Sequence, residues 1–247
     1  MSMIHLVGGE KGGVGKSTVA RLLAQEFIDR NVPFVALDGD QSHGDLLRFY
    51  TNFSHPLNLR DNASADTILL SAIENEQNVL VDLPAQSAGN LQSWVTESGV
   101  LDLADELNIP FVIWHVTDGS RNSVDLLQRM LNEFGGHNSV SFVIVRNYGR
   151  GKSFESFDAS SVKAQADALD ARIIDLPGLD DTVMSRVDWK GLSFWAAAYL
   201  TEGDCLSLLD RQRVKAWRNR WQQQLKAVND QIPEVQIAEV IQLPSAS

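Results

Sequence analysis

The fold is decided by residues 3–18, which read Met3-Ile4-His5-Leu6-Val7-Gly8-Gly9-Glu10-Lys11-Gly12-Gly13-Val14-Gly15-Lys16-Ser17-Thr18. The apolar run at the start is typical of a buried strand, and the glycine-rich stretch after it is typical of a tight loop. Helix-favouring residues follow at positions 19–27. A strand, a glycine-rich loop and a helix in this order predict a P-loop, which wraps a polyphosphate.

The residue types in this loop suit phosphate binding. Gly12, Gly13 and Gly15 let successive backbone N–H groups point inward, in conformations that a Cβ atom would obstruct. Lys16 is placed to reach the β and γ phosphates, the hydroxyl of Ser17 can ligate Mg²⁺, and the following helix adds its positive N-terminal end. The predicted nucleotide contacts in the loop are Gly12, Gly13, Val14, Gly15, Lys16, Ser17 and Thr18.

The sequence motif of this loop is unusual. The strict pattern G-x-x-x-x-G-K-[ST] fails at Glu10, whereas the deviant pattern K-G-G-x-G-K-[ST] matches fully from Lys11 onward. In this respect the sequence resembles the ParA/MinD family of dimeric P-loop ATPases. In that family the extra lysine, here Lys11, reaches across the subunit interface to the nucleotide of the partner, so the resemblance implies two chains around two ATP molecules. A solvated lysine beside a phosphate site is the alternative interpretation.

A loop with two carboxylates follows the predicted strand at residues 33–38 and reads Asp38-Gly39-Asp40-Gln41. Ligands of open α/β sheets lie beyond the carboxyl ends of the strands, so this loop is expected near the P-loop. The family has D-x-D-P-Q at its first switch, which implies that Asp38 binds Mg²⁺ through water and that Asp40 orients the attacking water. Gln41 stands where the family has proline, and an ordinary Asp- and Gly-rich turn is the alternative.

An apolar strand that ends in an acid lies at residues 79–84. Asp82 at its end can hold the Mg²⁺ shell, as a Walker B carboxylate does, and Asp82 with Pro84 resembles the second switch of the family. An Asp in this place could also cap a helix. Together, these motifs give a predicted metal set of Ser17, Asp38 and Asp82 and a predicted catalytic set of Lys11, Lys16 and Asp40.

Two further residues are candidates for contact with the base. The amide of Asn147 has one acceptor and two donors, which suits the edge of a purine, and the family places an asparagine against adenine after a late strand. Residues 176–180, which include Pro177, resemble the loop that closes over the base. Ordinary turns remain the alternative for both.

Composition limits the other possibilities. The chain has 247 residues, 44% of them hydrophobic, and a formal net charge of −11, which argues against a surface that binds polyanions everywhere. Its one cysteine, Cys205, cannot form an internal disulfide, and no Cys/His cluster has zinc spacing. No segment approaches the roughly 20 apolar residues that a membrane span requires. We expect a soluble, cytoplasmic protein for which membrane attachment is unlikely.

Short strand patterns alternate with helical patterns along the chain, which predicts an α/β fold: a doubly wound, mainly parallel sheet flanked by helices. The predicted strands are residues 3–8, 33–38, 78–83, 110–116, 140–146 and 171–176. The predicted helices are residues 16–30, 60–75, 88–107, 120–134, 155–169 and 190–200. We expect a P-loop ATPase domain at residues 1–203 and a C-terminal helix and tail at residues 204–247, in the same domain or as an appendage.

The predicted C-terminal helix, at about residues 204–230, is amphipathic. Its apolar residues recur at helical spacing beneath a basic face. A helix docked on the sheet domain, a patch that contacts DNA or a partner, and a membrane anchor are the three interpretations. The tail from residue 232 is expected to be irregular or docked. The cations of the basic face are Arg211, Arg213, Lys215, Arg218, Arg220 and Lys226.

The sequence thus predicts a slow, Mg²⁺-dependent ATPase switch that dimerises with ATP and positions, partitions or transfers a cargo such as plasmid DNA or a protein complex, under an unidentified activating protein. A narrower resemblance, to TraL-type ATPases of conjugal transfer and mobilisation, rests on residues 148–155, 174–177 and 211–213. The rival is a metabolic or metallocluster-assembly ATPase of the same fold, although Cys205 alone could supply only one thiolate per subunit. A binding module that does not hydrolyse ATP is another competitor.

Overall fold

The computed structural model describes residues 2–40, 44–75 and 77–231. Its centre is a sheet of seven strands in the order β3-β2-β4-β1-β5-β6-β7, in which every neighbouring pair is parallel. The predicted fold class is therefore confirmed. The strands are β1 (Ile4–Gly8), β2 (Phe34–Asp38), β3 (Ser54–Pro56), β4 (Asn78–Asp82), β5 (Phe111–Thr117), β6 (Val140–Asn147) and β7 (Arg172–Leu176).

The central strands are apolar along their whole length because helices cover both faces of the sheet. Every residue of β1, β4 and β5 is buried. The six longer strands fall within one residue of their predicted bounds. The seventh, β3, was not predicted, because three residues at a sheet edge carry almost no periodic signal.

The helices are α1 (Lys16–Asp29), α2 (Asp45–Phe49), α3 (Asn62–Glu74), α4 (Ala88–Ser98), α5 (Val100–Leu107), α6 (Arg121–Phe134), α7 (Glu155–Asp158), α8 (Ser161–Ala168), α9 (Asp181–Trp189), α10 (Phe194–Tyr199) and α11 (Leu208–Leu225). Two short 3₁₀ segments, Thr51–Phe53 and Lys226–Gln231, complete the described structure.

Several predicted helix bounds were wrong. The helix predicted at residues 88–107 is two helices, because Gly99 between them adopts a left-handed conformation with φ of 61°. The helix predicted at 155–169 is also divided, since the side chain of Ser160 caps a new helix by accepting from the N–H of Lys163. The last predicted helix of the sheet domain starts only at Phe194, and the short helix α2 was not predicted.

The helix α9 was missed as well, for a local reason. Asp180 was assigned to the loop over the base, but its carboxylate accepts from the N–H groups of Thr182 and Val183 and so begins α9.

The C-terminal helix α11 closes the core on the α1 side of the sheet. Its apolar stripe contains Val214, Trp217, Trp221 and Leu225, all of them at most 1% exposed. Ser207 caps the helix, which therefore starts later than predicted, and after Leu225 the chain continues as the 3₁₀ segment Lys226–Gln231. The tail predicted from residue 232 lies outside the described residues.

The two edges of the sheet differ in structure. At one edge β3 is only three residues long and ends with Pro56. At the other, the backbone N–H of Asp175 in β7 donates to Oε1 of Gln224 on α11 at 3.1 Å. No helix within residues 2–40, 44–75 or 77–231 is both long enough and apolar enough to cross a bilayer.

Candidate nucleotide-binding site

Residues 9–15 connect β1 to α1 at the carboxyl end of the sheet, as the sequence predicts. Gly13 and Gly15 adopt positive φ angles of 78° and 98°. A Cβ atom on Gly15 would lie 2.3 Å from Nδ2 of Asn147, which leaves no room for any other residue. Gly13 and Gly15 therefore have conformations that favour glycine, directly before the N-terminus of α1. The expectation was wrong for Gly12, which lacks a positive φ and has open space where a Cβ atom would lie.

Lys16 is the first residue of α1 and only 8% exposed. Its ammonium group points back over the loop, with Nζ 3.4 Å from the carbonyl oxygen of Lys11. Burial lowers the pKa of Lys16, while the charges of Asp82, Glu10 and Asp40 act in the opposite direction. A desolvated cation at a helix N-terminus favours an anionic ligand.

Lys11 makes contacts within its own chain. Its Nζ lies 2.5 Å from Oδ2 of Asp118 and donates to Oγ of Ser120 at 3.1 Å. Burial acts to raise the pKa of Asp118, but hydrogen bonds from Lys11 and Ser120 hold it below the usual value. The role of Asp118 was missed, although its position just after β5, at the same end of the sheet as the P-loop, was an available signal.

Asp38 and Asp82 lie side by side, because β2 and β4 are paired in that register. Asp38 accepts from the backbone N–H groups of Asp40, Leu46 and Leu47 at 3.0, 2.9 and 3.2 Å, so its carboxylate fixes the start of α2. Burial raises the pKa of Asp38, and these three hydrogen bonds oppose the rise. Gln41, the other residue of interest in this loop, lies outside the described residues.

Asp82 is a buried acid without a hydrogen-bond partner for either oxygen among the described residues. Burial raises the pKa of Asp82 to about 8, and the charge of Asp38 also acts to raise it. The nearby hydroxyl of Ser17 acts to lower this pKa, although the two groups do not reach hydrogen-bond geometry. An unpaired buried carboxyl beside a second carboxyl and a hydroxyl fits a hard cation such as Mg²⁺. No three His, Cys, Asp or Glu side chains form a metal cluster in the part of the chain that the structure describes.

Asn147 lies directly against the P-loop. Its Nδ2 donates to the carbonyl oxygen of Val14 at 2.7 Å, and its Oδ1 accepts from the N–H of Gly149 at 2.9 Å. Both ends of the amide are therefore engaged in holding the loop to the end of β6. Its predicted contact with a base stays a prediction.

Pro177 and Asn147 line one narrow cleft beside Thr18, with a volume of about 30 Å³. This volume is far below the roughly 300 Å³ of a small ligand pocket. The base of a nucleotide does not fit within this volume. The structure thus brings both predicted base contacts together, in a closed arrangement.

The second switch, residues 84–88, is bonded to the P-loop through Glu10. The carboxylate Oε1 of Glu10 accepts from the N–H of Ala88 at 2.7 Å, and its carbonyl oxygen accepts from the N–H of Gln86 at 3.2 Å. Sequence reasoning treated Glu10 only as a departure from the strict pattern. An acid at a loop position that usually has glycine was the available signal.

The basic face of α11 is largely used within the chain. Arg211 donates to the carbonyl oxygen of Leu200 at 2.8 Å, and Nζ of Lys215 lies 4.7 Å from the ring centre of Tyr199. Arg213 pairs with Asp210, and the buried Arg218 pairs with Asp29. These contacts support the interpretation of a docked helix.

The fold of this chain is similar to that of solved ParA and MinD proteins. A ParA family ATPase from Chlorobium tepidum TLS has a TM-score of 0.53 at 13% identity, over 89% of this chain and 99% of that one. The septum site-determining protein MinD from Pyrococcus horikoshii OT3, solved with Mg-ADP, also has a TM-score of 0.53, at 17% identity, over 88% and 95% of the two chains. The resemblance inferred from Lys11 and the switch motifs is confirmed by this shared fold.

Two proteins are similar to this chain over nearly their full lengths. Protein MobD of Acidithiobacillus ferrooxidans is 24% identical over 229 residues, which cover 91% of this chain and 97% of MobD. Protein TraL of Escherichia coli is 26% identical over 245 residues, which cover 92% and 98%. The sequence matches no family model. The narrower resemblance to TraL is therefore confirmed as a likeness at low identity.

Proposed function

We propose that this protein binds Mg-ATP, hydrolyses it slowly to ADP and phosphate, and dimerises in the ATP-bound form. The proposal rests on three features that occur together: a loop whose conformation favours glycine, the buried Lys16, and the carboxyl of Asp82, which has no hydrogen-bond partner among the described residues. The loop and Lys16 favour a polyphosphate, and the carboxyl favours its cation.

Each residue has a defined task in this proposal. Lys16 and the loop amides bind the β and γ phosphates, and Ser17, Asp38 and Asp82 would hold Mg²⁺, directly or through water. When bound, Mg²⁺ neutralises charge on the β and γ phosphates. Asp40 orients a water molecule toward the γ phosphorus.

The reaction is a direct displacement. The water oxygen forms a bond to the γ phosphorus, the bond to the β–γ bridging oxygen breaks, and ADP leaves with that electron pair while the water loses a proton. Such a reaction depends on positioning and on electrostatic stabilisation. One of the required cations comes from Lys11 of a second copy, which makes turnover depend on dimerisation.

The intrachain pair of Lys11 with Asp118 describes the starting state of this switch. Lys11 has to leave Asp118 before it can reach the nucleotide of a partner copy. ATP then favours the dimer by binding it more tightly than the monomer, and a factor of about 10² to 10³ makes assembly depend on the nucleotide.

The cargo that we propose is supported by the relatives and not by the geometry of the site. Because MobD and TraL are similar over almost the whole chain, we place the protein in mobilisation or conjugal transfer, where it positions or transfers plasmid DNA or a protein complex in the cytoplasm. An activating partner protein and non-specific DNA bound at α11 belong to this proposal.

The test measures nucleotide affinity by calorimetry, phosphate release, and molar mass by light scattering with ATP, ADP and no nucleotide. We expect the wild type to dimerise only with ATP and Lys16→Ala to lose ATP binding. Lys226→Ala, an exposed lysine at the end of α11, is the matched control and should behave like the wild type. Undiminished ATP affinity in Lys16→Ala would falsify the proposed site.

A further inference from the structure

Glu10 joins two parts of the site that are 78 residues apart in sequence. It is the residue directly before Lys11, and its carboxylate and carbonyl oxygens accept from the N–H groups of Ala88 and Gln86. Both halves of the residue therefore contact the second switch.

The carboxylate of Glu10 caps α4 from outside the helix. Ser87 precedes the helix, but its side chain makes no capping hydrogen bond. The first N–H groups of a helix lack intrahelical partners and favour a negative group. Glu10 supplies that group to Ala88, the first residue of α4.

The same carboxylate lies close to the phosphate site, because Glu10 belongs to the loop between β1 and α1 that leads to Lys16, and its charge opposes the lowering of the pKa of Lys16 by burial. A triphosphate held by Lys16 brings several negative charges to this place. These charges repel the carboxylate and weaken its attraction to the helix.

The turn that Glu10 holds is under backbone strain. Gln86 adopts a left-handed conformation with φ of 60°, which is unfavourable for a residue with a side chain. Release of the carboxylate removes one of the two bonds that hold residues 86–88 to Glu10 and leaves the backbone bond of Gln86 to the carbonyl oxygen of Glu10. The turn is then held less firmly.

We propose that Glu10 senses the charge of the bound triphosphate and transmits it to the second switch. Without nucleotide Glu10 holds residues 86–88 and the start of α4, and with a triphosphate its carboxylate releases the start of α4. Glu10 is a positioning residue, since it acts through the switch and not on the reacting atoms. The inference rests on the proposed binding of ATP.

The experiment is hydrogen exchange on peptides that cover residues 84–92 of the full chain. It compares nucleotide-free protein, Mg-ADP and a non-hydrolysable Mg-ATP analogue. Glu10→Gln keeps an acceptor of similar length but removes the charge, and Glu10→Ala removes both. Glu97→Gln, an exposed acid on the same helix, is the control.

Without nucleotide, we expect this segment to exchange roughly five-fold faster in Glu10→Ala than in the wild type, the usual effect of losing a helix cap. In the wild type and in Glu97→Gln the analogue, but not ADP, raises exchange by a similar factor. In Glu10→Gln the analogue has no such effect, because a neutral amide is not repelled.

Equal exchange rates in nucleotide-free Glu10→Ala and wild type would show that Glu10 does not hold residues 86–88. An equal change of exchange on addition of the ATP analogue in Glu10→Gln and wild type would show that the charge of Glu10 is not sensed. Calorimetry on the same samples separates this inference from the proposed function. Binding heat without a change in exchange contradicts the inference alone, whereas absence of binding contradicts both. If Glu10→Ala does not fold, the comparison of Glu10→Gln with wild type decides.

Discussion

Trp217 donates a hydrogen bond from its indole Nε1 to the carbonyl oxygen of Pro177 at 2.6 Å. Trp217 belongs to the C-terminal helix, and Pro177 lines the narrow cleft beside Thr18 and Asn147. The C-terminal helix is therefore attached to the loop that lines this cleft. In the proposed function, this contact would couple α11 to entry and release of the nucleotide.

Trp217→Phe should speed both entry and release of the nucleotide. The phenyl ring of the variant still packs against Phe194, but the hydrogen bond to Pro177 is lost. Because that bond is worth about 1 kcal/mol, the loop at Pro177 should open roughly five times more often. Stopped-flow release of a fluorescent ATP analogue measures the rate. Trp221→Phe is the matched control, since the indole N–H of Trp221 has no partner among the described residues. Equal rates in both variants would show that the bond to Pro177 does not restrain the loop.

Lys11→Ala and Asp118→Asn should change dimerisation in opposite directions. Lys11→Ala removes the cation for the partner site, so the protein should bind ATP, remain monomeric and lose turnover. Asp118→Asn weakens the intrachain pair, which frees Lys11 and should lower the ATP concentration needed for dimerisation several-fold. Light scattering during an ATP titration measures both. A requirement for more ATP in Asp118→Asn would contradict the proposed release of Lys11 from Asp118.

Binding of Mg-ATP should release a proton from Asp82 below pH 8. The pKa of this carboxyl is raised to about 8, so it is protonated at pH 7 and has to ionise when it binds a cation. Calorimetry at pH 7 in buffers of different ionisation enthalpy should report about one proton per site. Asp82→Asn should abolish this release.

Asp82 also affects stability. Its folded-state pKa lies above the unfolded value, so ionisation costs stability as the pH rises from about 4 to about 8. Without nucleotide, Asp82→Asn should therefore become more stable than the wild type as the pH increases. Urea unfolding at pH 5 and pH 8 measures the free energy of unfolding of both proteins. If the gap between Asp82→Asn and wild type is the same at both pH values, the raised pKa of Asp82 is contradicted.

His5 should make the protein sensitive to mild acid. It is fully buried, its Nδ1 accepts from the indole of Trp114 at 3.1 Å, and burial lowers its pKa to about 3. Because the unfolded chain binds the proton more tightly, stability falls as the pH drops below about 6.5, by up to about 1.4 kcal/mol per pH unit.

The variant His5→Gln should reduce this slope when urea unfolding is compared at pH 6.5 and pH 5. His55→Gln, an exposed position on the edge strand β3, is the control. An identical slope in His5→Gln and wild type would assign the acid sensitivity to other groups, among them the buried His115, whose pKa is lowered to about 4.

The sequence was most informative where structure is local. The P-loop and the six long strands have patterns that lie within a few residues, and these were predicted correctly. The pairing of Lys11 with Asp118 spans 107 residues, and that of Glu10 with Ala88 spans 78. No local pattern encodes such contacts, because the register of the parallel strands creates them.

The roles of single residues were also harder to predict than the place of the site. The contact of Asn147 with a base stays a prediction; what the structure adds is that its amide bonds to the carbonyl of Val14 and to the N–H of Gly149. An isolated asparagine after a strand gives no information on which of its possible partners is closest. The structure shows how tightly the P-loop fits against the end of β6, because a Cβ atom on Gly15 would collide with the amide of Asn147.

The ends of the sheet have a consequence for self-association. One outer strand offers three residues that finish in proline, and on the other the N–H of Asp175 is already occupied by Gln224. Unprotected outer strands can recruit further strands and lead to aggregates, and both features disfavour this. Edge-to-edge pairing of copies through β3 or β7 is therefore disfavoured, which would leave the sheet edges out of the dimer that we propose.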